Sequence, residues 1–253
     1  MNILSLLRSY KYNLTKVICL QNIFLTLGLG LTNIYYAKLY HFMKICIGLP
    51  FIYYNYKILK KHYFLFELCY SITLYIGVYL GLDIYKQIIP SNVITDSVIN
   101  SFYNTSFIFA SSILTLSTFL NKDRFTITDL VRNSTNLIHI DNGFIFLMIQ
   151  YNNLINNVNT NFSYINYIYC ILIYSCWLIL YNKIMYNNLV SKDPQNNIVD
   201  LFCKGNLRTY IFYHSILSTI GISLGYYLFY NFKIQLYLFC ISYLGMVFFT
   251  GLF

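Results

Sequence analysis

Long apolar stretches separated by short polar segments recur along the whole chain. Eight of these stretches approach the length of about 20 residues that a membrane-spanning helix needs. The predicted spans are 17–37, 39–56, 62–82, 98–120, 134–150, 164–186, 209–230 and 234–252. Because a helix satisfies its own backbone hydrogen bonds in lipid, the pattern predicts an all-α, polytopic helical bundle.

Composition supports a membrane-embedded chain. Hydrophobic residues make up 58% of the 253 residues and charged residues only 10%, which excludes a disordered protein and argues against an ordinary soluble domain. The spans and their short connections use the whole length, so we expect one integral membrane domain over 1–253, surrounded by the lipid bilayer.

Basic residues alternate between the two ends of the predicted spans. One end collects 13 of the 17 Lys and Arg residues, whereas the other has Lys38, Lys86 and Lys233, and Lys44 lies within the second span. Since cytoplasmic loops carry the excess of cations, the first end is predicted to be cytoplasmic, together with both termini. The net charge of +9 is therefore a topology signal, and we expect no nucleic-acid partner.

Cysteine spacing and the absence of known motifs exclude several kinds of site. The seven cysteines are scattered, mostly in apolar segments, and none forms a CxxC pair. They are expected to be reduced packing residues. The sequence contains no Walker loop, GxGxxG, GxSxG or HExxH motif. We therefore expect no metal and no resident cofactor.

Ionisable side chains inside the predicted spans are site candidates, because placing them in lipid is costly. Glu67 lies about one turn into the third span and either serves a site or pairs with a lysine at the membrane surface. His139 is either a general base or a structural residue bonded to a carbonyl. Asp141, two residues away, would not share its helix face. We expect a structural hydrogen-bonding role for His214 and an interfacial position for His41.

A short charged cluster precedes the fifth span on the predicted cytoplasmic side. It contains Lys122, Asp123 and Arg124, and Arg132 follows. The cluster is either a solvated loop that sets topology or a group that binds phosphate at the mouth of a cavity.

Three runs in the first third of the chain resemble a known family. Asn22 opens an N-x-F-L run that continues to Gly28 and Gly30, Leu49-Pro50 precedes a tyrosine-rich segment at 53–57, and KKHYFLFELCY occupies 60–70. This chain resembles the glycerophosphocholine acyltransferases of fungi, plants and protists. Further along, 123–126 is similar to a D-K-x-T motif, 137–140 to F-I-H-I, and Trp177 with Tyr181 to W-x-x-x-Y.

The likeness has departures. Glu67 stands where the family has aspartate, and the family's terminal asparagine and glutamate fall on Leu244 and Gly251. The family's tryptophan–arginine–asparagine segment has no counterpart. The missing residues are polar groups within the membrane, which is where function usually resides.

The resemblance implies an acyl-CoA-dependent enzyme of the endoplasmic reticulum membrane. It would move an acyl chain from acyl-CoA, as co-substrate, to glycerophosphocholine or a related glycerophosphodiester, giving a lysophospholipid. His139 would be the base, with Glu67 as a second catalytic residue. The implied substrate-binding residues are Lys122, Asp123, Arg124, Arg132 and Trp177. The alternatives are a non-catalytic lipid-binding scaffold and a small-solute transporter on the same bundle.

Overall fold

The computed structural model describes residues 3–58, 67–89, 95–114, 130–156, 158, 163–187 and 207–231. Within these residues the secondary structure is entirely helical, as predicted. The helices are α1 (Ile3–Thr32), α2 (Ile34–Ile58), α3 (Leu68–Ile88), α4 (Asp96–Ile108), α5 (Leu130–Ile155), α6 (Tyr164–Asn187) and α7 (Leu207–Asn231). A π-helical turn, Phe109–Leu114, continues α4.

Among the described residues, three helical segments are long and apolar enough to cross a membrane. They are Asn13–Thr32, Leu68–Ile88 and Tyr164–Ile184. Large apolar side chains such as Phe24, Phe51 and Ile179 are exposed on the outside of the bundle, as expected for a chain surrounded by lipid. The count of eight spans and the cytoplasmic termini stay predictions, and the predicted span 234–252 lies outside the described residues.

The boundary between the first two helices lies at Asn33, not at Lys38 as the sequence predicted. The Thr32 hydroxyl donates to the carbonyl of Leu29 at 2.9 Å, and Asn33 Oδ1 accepts the backbone N–H of Tyr35 at 2.9 Å. A side-chain oxygen that accepts from a backbone N–H just beyond it is a helix-starting arrangement. Lys38 therefore lies inside α2.

Helix α5 is central, because it packs against α1, α2, α3 and the π-helical turn. Close approach between α1 and α5 depends on Gly30, where an added Cβ would lie 2.6 Å from Met148 Cε. On the other side of α5, the rings of Tyr79, Tyr103 and Phe146 pack together, with the Tyr103 and Phe146 centroids 6.0 Å apart. These contacts bring polar residues of four helices to one place inside the bundle.

Candidate functional site

An ion pair joins α2 to α5 inside the bundle. Lys44 Nζ lies 2.9 Å from Asp141 Oδ2, and the two side chains are 21% and 10% exposed. The Lys44 ammonium also lies 5.2 Å from the centroid of the Tyr40 ring. Each charged residue interrupts an apolar segment of the sequence, and packing α2 against α5 brings the two opposite charges together.

Helix α1 completes the surroundings of the carboxylate. Asn22 Nδ2 donates to Asp141 Oδ2 at 3.2 Å, and the Tyr40 hydroxyl donates to Asn22 Oδ1 at 2.7 Å. The amide of Asn22 is thus fixed in one orientation, with its oxygen toward α2 and its nitrogen toward α5. The same Asp141 oxygen thus forms the ion pair with Lys44 and accepts the hydrogen bond from Asn22.

A second line of hydrogen bonds runs from α2 through α5 to α3. His41 Nε2 lies 3.0 Å from Asn142 Oδ1. Asn142 Nδ2 donates to Thr73 Oγ1 at 2.8 Å, and the Thr73 hydroxyl donates to the carbonyl of Cys69 at 2.8 Å. We call the set formed by both lines the buried polar cluster. Its members are Asn22, Tyr40, His41, Lys44, Thr73, Asp141 and Asn142.

His41 corrects the sequence analysis, which placed it at the membrane interface. It is 1% exposed, because α2 begins at Ile34 and His41 lies two turns inside the helix, facing α5. Thr73 and Asn142 are two further members of the cluster that the sequence does not predict. Both are small neutral residues, and nothing in the sequence alone distinguishes them from ordinary packing residues.

His139 lies one turn before Asn142 on α5 and is 2% exposed. The continuous helix turns His139 and Asp141 to different faces, as the sequence predicted, and Asp141 is engaged by side chains of α1 and α2. His139 is therefore a buried neighbour of the polar cluster, and its role as a base stays a prediction.

Glu67 is not one turn inside a helix, as the sequence analysis placed it. It is the residue immediately before α3, with extended backbone angles (φ −63°, ψ 150°), and its carbonyl accepts the backbone N–H of Tyr70 at 3.1 Å. A carboxylate at this position is favoured by the positive end of the helix dipole. The Tyr70 hydroxyl lies 3.5 Å from the hydroxyl of Thr135, which is one turn before His139 on α5.

Trp177 belongs to a different group of side chains, between α6 and α7. Its ring lies 4.9 Å from that of Tyr181 and 5.2 Å from that of His214. His214 Nδ1 lies 3.0 Å from the Tyr174 hydroxyl, which agrees with the hydrogen-bonding role predicted for this histidine. The structure describes Trp177 as an aromatic packing residue, and its role in binding substrate stays a prediction.

The charged cluster before the fifth span is largely beyond the described part of the chain. Lys122, Asp123 and Arg124 fall outside the described residues, and Arg132 is in the first turn of α5. In the ranges that the structure describes, no group of three or more His, Cys, Asp and Glu residues is arranged to hold a metal ion.

A cleft of about 290 Å³ opens at the end of the bundle that carries Lys38. Tyr79, Asn100 and Tyr103 are among the residues that line it. Lys38 Nζ pairs with Asp83 Oδ2 across α2 and α3 at 2.9 Å. Because that lysine is already paired, the cleft is polar without offering an unpaired cation.

Comparisons with known proteins give no match: no family model, no curated protein and no solved structure is similar to this chain. The resemblance to the acyltransferases therefore depends on the residues named above.

Proposed function

We propose that the chain is a membrane acyltransferase that moves an acyl chain from acyl-CoA to a hydroxyl of glycerophosphocholine or a related glycerophosphodiester, in the endoplasmic reticulum membrane. The observation that carries the proposal is the buried polar cluster. Segments that resemble the family meet there: Asn22 begins the first run, Cys69 belongs to the run at 60–70, and the segment 137–140 directly precedes Asp141. Ionisable groups inside an apolar bundle are costly and usually serve a function.

The reaction requires a base, an acyl slot and cations. The hydroxyl oxygen bonds to the thioester carbonyl carbon while its proton passes to a histidine. The carbon–sulfur bond then breaks, and the departing CoA thiolate takes that proton. His139 is the base predicted from the sequence, and His41 lies in the same region. The apolar bundle supplies the acyl slot, and Lys122, Arg124 and Arg132 are the proposed ligands of the phosphates.

The test is an assay on membranes that contain the protein, with labelled oleoyl-CoA and glycerophosphocholine. We expect wild type to form labelled lysophosphatidylcholine. We expect Asp141→Asn, which keeps the shape of the side chain and removes its charge, to lose product at equal expression. Lys86→Met, which breaks an exposed ion pair with Asp96 at the end of the bundle, is the matched control and should retain activity. Wild type without product on any glycerophosphodiester would contradict the proposal.

Small-solute transport is a second candidate, because the Lys44–Asp141 pair also favours it. Ion pairs inside membrane bundles mark substrate pathways and proton relays in transporters. Proteoliposomes distinguish the two functions when they receive labelled glycerophosphocholine with and without acyl-CoA. Accumulation of unmodified label without acyl-CoA would assign transport, whereas conversion to a lysophospholipid only with acyl-CoA would assign acyl transfer.

A further inference from the structure

The cleft at the Lys38 end of the bundle is separate from the groups proposed to act in acyl transfer. Residues of α2, α3, α4 and α5 line it, and Asn153 is its contribution from the C-terminal part of α5. Asn153 follows Asp141 by about three turns of this continuous helix, which is about 18 Å along its axis. Arg132, at the other end of α5, is about 32 Å from Asn153. The cleft therefore belongs neither to the buried polar cluster nor to the proposed phosphate ligands.

The cleft leads from the surface into the bundle. Asn100 and Val158 line it and are exposed. Ile99 and Ile149 also line it and are buried. A ligand can therefore reach side chains that are otherwise enclosed by the four helices.

The two charged side chains that line the cleft neutralise each other. Lys38 Nζ lies 2.9 Å from Asp83 Oδ2, and the lining includes no other charged residue from the described part of the chain. An anionic ligand would have to compete with Asp83 for the ammonium, and a cationic ligand would have to compete with Lys38 for the carboxylate. The cleft is therefore suited to a ligand without charged groups.

Three polar side chains of the lining keep hydrogen-bonding groups that a ligand can use. Lys38 and Gln87 both contact Oδ2 of Asp83, so Oδ1 has no partner in the ranges that the structure describes. The Tyr79 hydroxyl likewise has no partner there, and it is not sealed from solvent. Asn100 adds an exposed carboxamide.

Hydroxyl groups complement these three side chains. A carboxylate oxygen only accepts a hydrogen bond, whereas a carboxamide and a phenol both donate and accept. A hydroxyl can pair with each of them, because it also donates and accepts. A carbonyl or ether oxygen cannot donate to Asp83 Oδ1. A molecule with several hydroxyls thus matches the polar groups, and its C–H groups match the side chains of Ile99 and Ile149.

The volume of the cleft limits the ligand to a small molecule. At about 290 Å³ the cleft is close to the lower end of the range of ligand pockets, about 300–1,000 Å³. It has room for about ten water molecules. This is space for one sugar ring and not for a molecule of the size of acyl-CoA.

We propose that this cleft binds a neutral polyhydroxylated molecule of the size of a hexose. Asp83 Oδ1 accepts from one hydroxyl, and Tyr79 and Asn100 exchange hydrogen bonds with others. The hydroxyls belong to a free sugar or to the headgroup of a neutral glycolipid, since both present the same chemistry. This site goes beyond the proposed acyl transfer and does not depend on it.

Carbon-13 methyl NMR of isoleucine-labelled protein in nanodiscs tests the site, because Ile99 and Ile149 line the cleft. The variants Ile99→Val and Ile149→Val identify the two signals. We expect both signals to move during titration with glucose and to stay in place with glycerol 3-phosphate or choline at the same concentrations. Nanodiscs that contain glucosylceramide distinguish the sources: signals that move with the glycolipid alone would support the same site for a lipid headgroup.

Two outcomes of this titration would overturn the proposal. In one, the signals respond to neither glucose nor glucosylceramide. In the other, they respond at least as strongly to glycerol 3-phosphate or to choline, which would show that the ion pair opens to a charged ligand.

Tyr79→Phe and Asn100→Leu test the proposed contacts. Tyr79→Phe removes the hydroxyl and keeps the ring that packs against Tyr103 and Phe146. Because a hydrogen bond between neutral groups contributes about 1 kcal/mol, each variant should weaken glucose binding about 5-fold. Asn13→Leu makes the same substitution at an exposed position of α1 outside the cleft, and this matched control should bind glucose as wild type does.

The remaining isoleucine signals show whether each variant is folded, because they should be unchanged outside the cleft. In a folded variant, wild-type affinity for glucose in either Tyr79→Phe or Asn100→Leu would overturn the proposed set of contacts. Weakened binding in Asn13→Leu to the same extent would also overturn it.

Discussion

Replacing Asp141 by leucine tests how much stability the protein loses when the Lys44 ammonium is left inside the bundle without its anion. The change removes the carboxylate 2.9 Å from Lys44 Nζ and the acceptor of the Asn22 amide. Lys44 then keeps its charge inside an apolar bundle without an anion. The double variant Lys44→Met/Asp141→Leu removes both charges and fills the same space with apolar side chains.

The magnitude follows from burial. Breaking a buried pair by removing one partner costs about 3–5 kcal/mol. The Lys44 side chain is 21% exposed, so part of the cost is relieved when the ammonium moves toward the surface. We therefore expect Asp141→Leu to lower the free energy of unfolding by about 3 kcal/mol, the lower end of that range. The double variant should lie within about 1 kcal/mol of wild type.

Trp177 provides the assay, because it is the only tryptophan in the chain and is buried between α6 and α7. Its fluorescence, followed during SDS titration in mixed micelles, measures unfolding. Lys86→Met is the matched control. Asp96, the partner of Lys86, is 85% exposed, so removing this ion pair should lower the free energy of unfolding by no more than about 1 kcal/mol. A single variant as stable as the control, or a double variant less stable than Asp141→Leu, would refute the reasoning.

Two further predictions concern packing. Gly28→Ala should stabilise α1 by up to about 1 kcal/mol, because its Cβ meets open space and alanine has the higher helix propensity. Gly30→Ala should not show this stabilisation, because its Cβ would overlap with the Met148 side chain. Equal melting temperatures of the two variants would contradict the packing of α1 on α5. Tyr174→Phe removes the hydroxyl that bonds to His214, so it should lower the free energy of unfolding by about 1 kcal/mol in the same SDS titration. An unchanged unfolding midpoint would show that this hydrogen bond does not contribute to stability.

The helical fold follows from the sequence, because long apolar runs in a chain with few charges leave little else that satisfies the backbone in lipid. The sequence predicts the boundary at Lys38, because this lysine is the polar break between two apolar runs, whereas the structure has it at Asn33. Lys38 is tolerated within α2 because Asp83, far away in the sequence, neutralises it. A helix boundary predicted from a single charged residue is wrong wherever the fold brings an opposite charge next to that residue.

The candidate site was predicted only in its parts. Lys44 and Asp141 each stood out as an ionisable residue in an apolar segment, but their contact depends on which helices pack together. Thr73 and Asn142 gave no signal at all, because short neutral side chains are common in helical bundles. Their importance comes from the direction of their hydrogen bonds, which only the folded arrangement defines.

The proposal for this protein is that the buried polar cluster serves acyl transfer and is not merely structural. The most direct measurement is the acyltransferase activity of Lys44→Met/Asp141→Leu, with oleoyl-CoA and glycerophosphocholine, in a preparation whose SDS unfolding matches wild type. We expect this stable, folded protein to form no lysophosphatidylcholine under conditions in which wild type does. A double variant with wild-type activity would contradict the claim and place the site elsewhere in the protein.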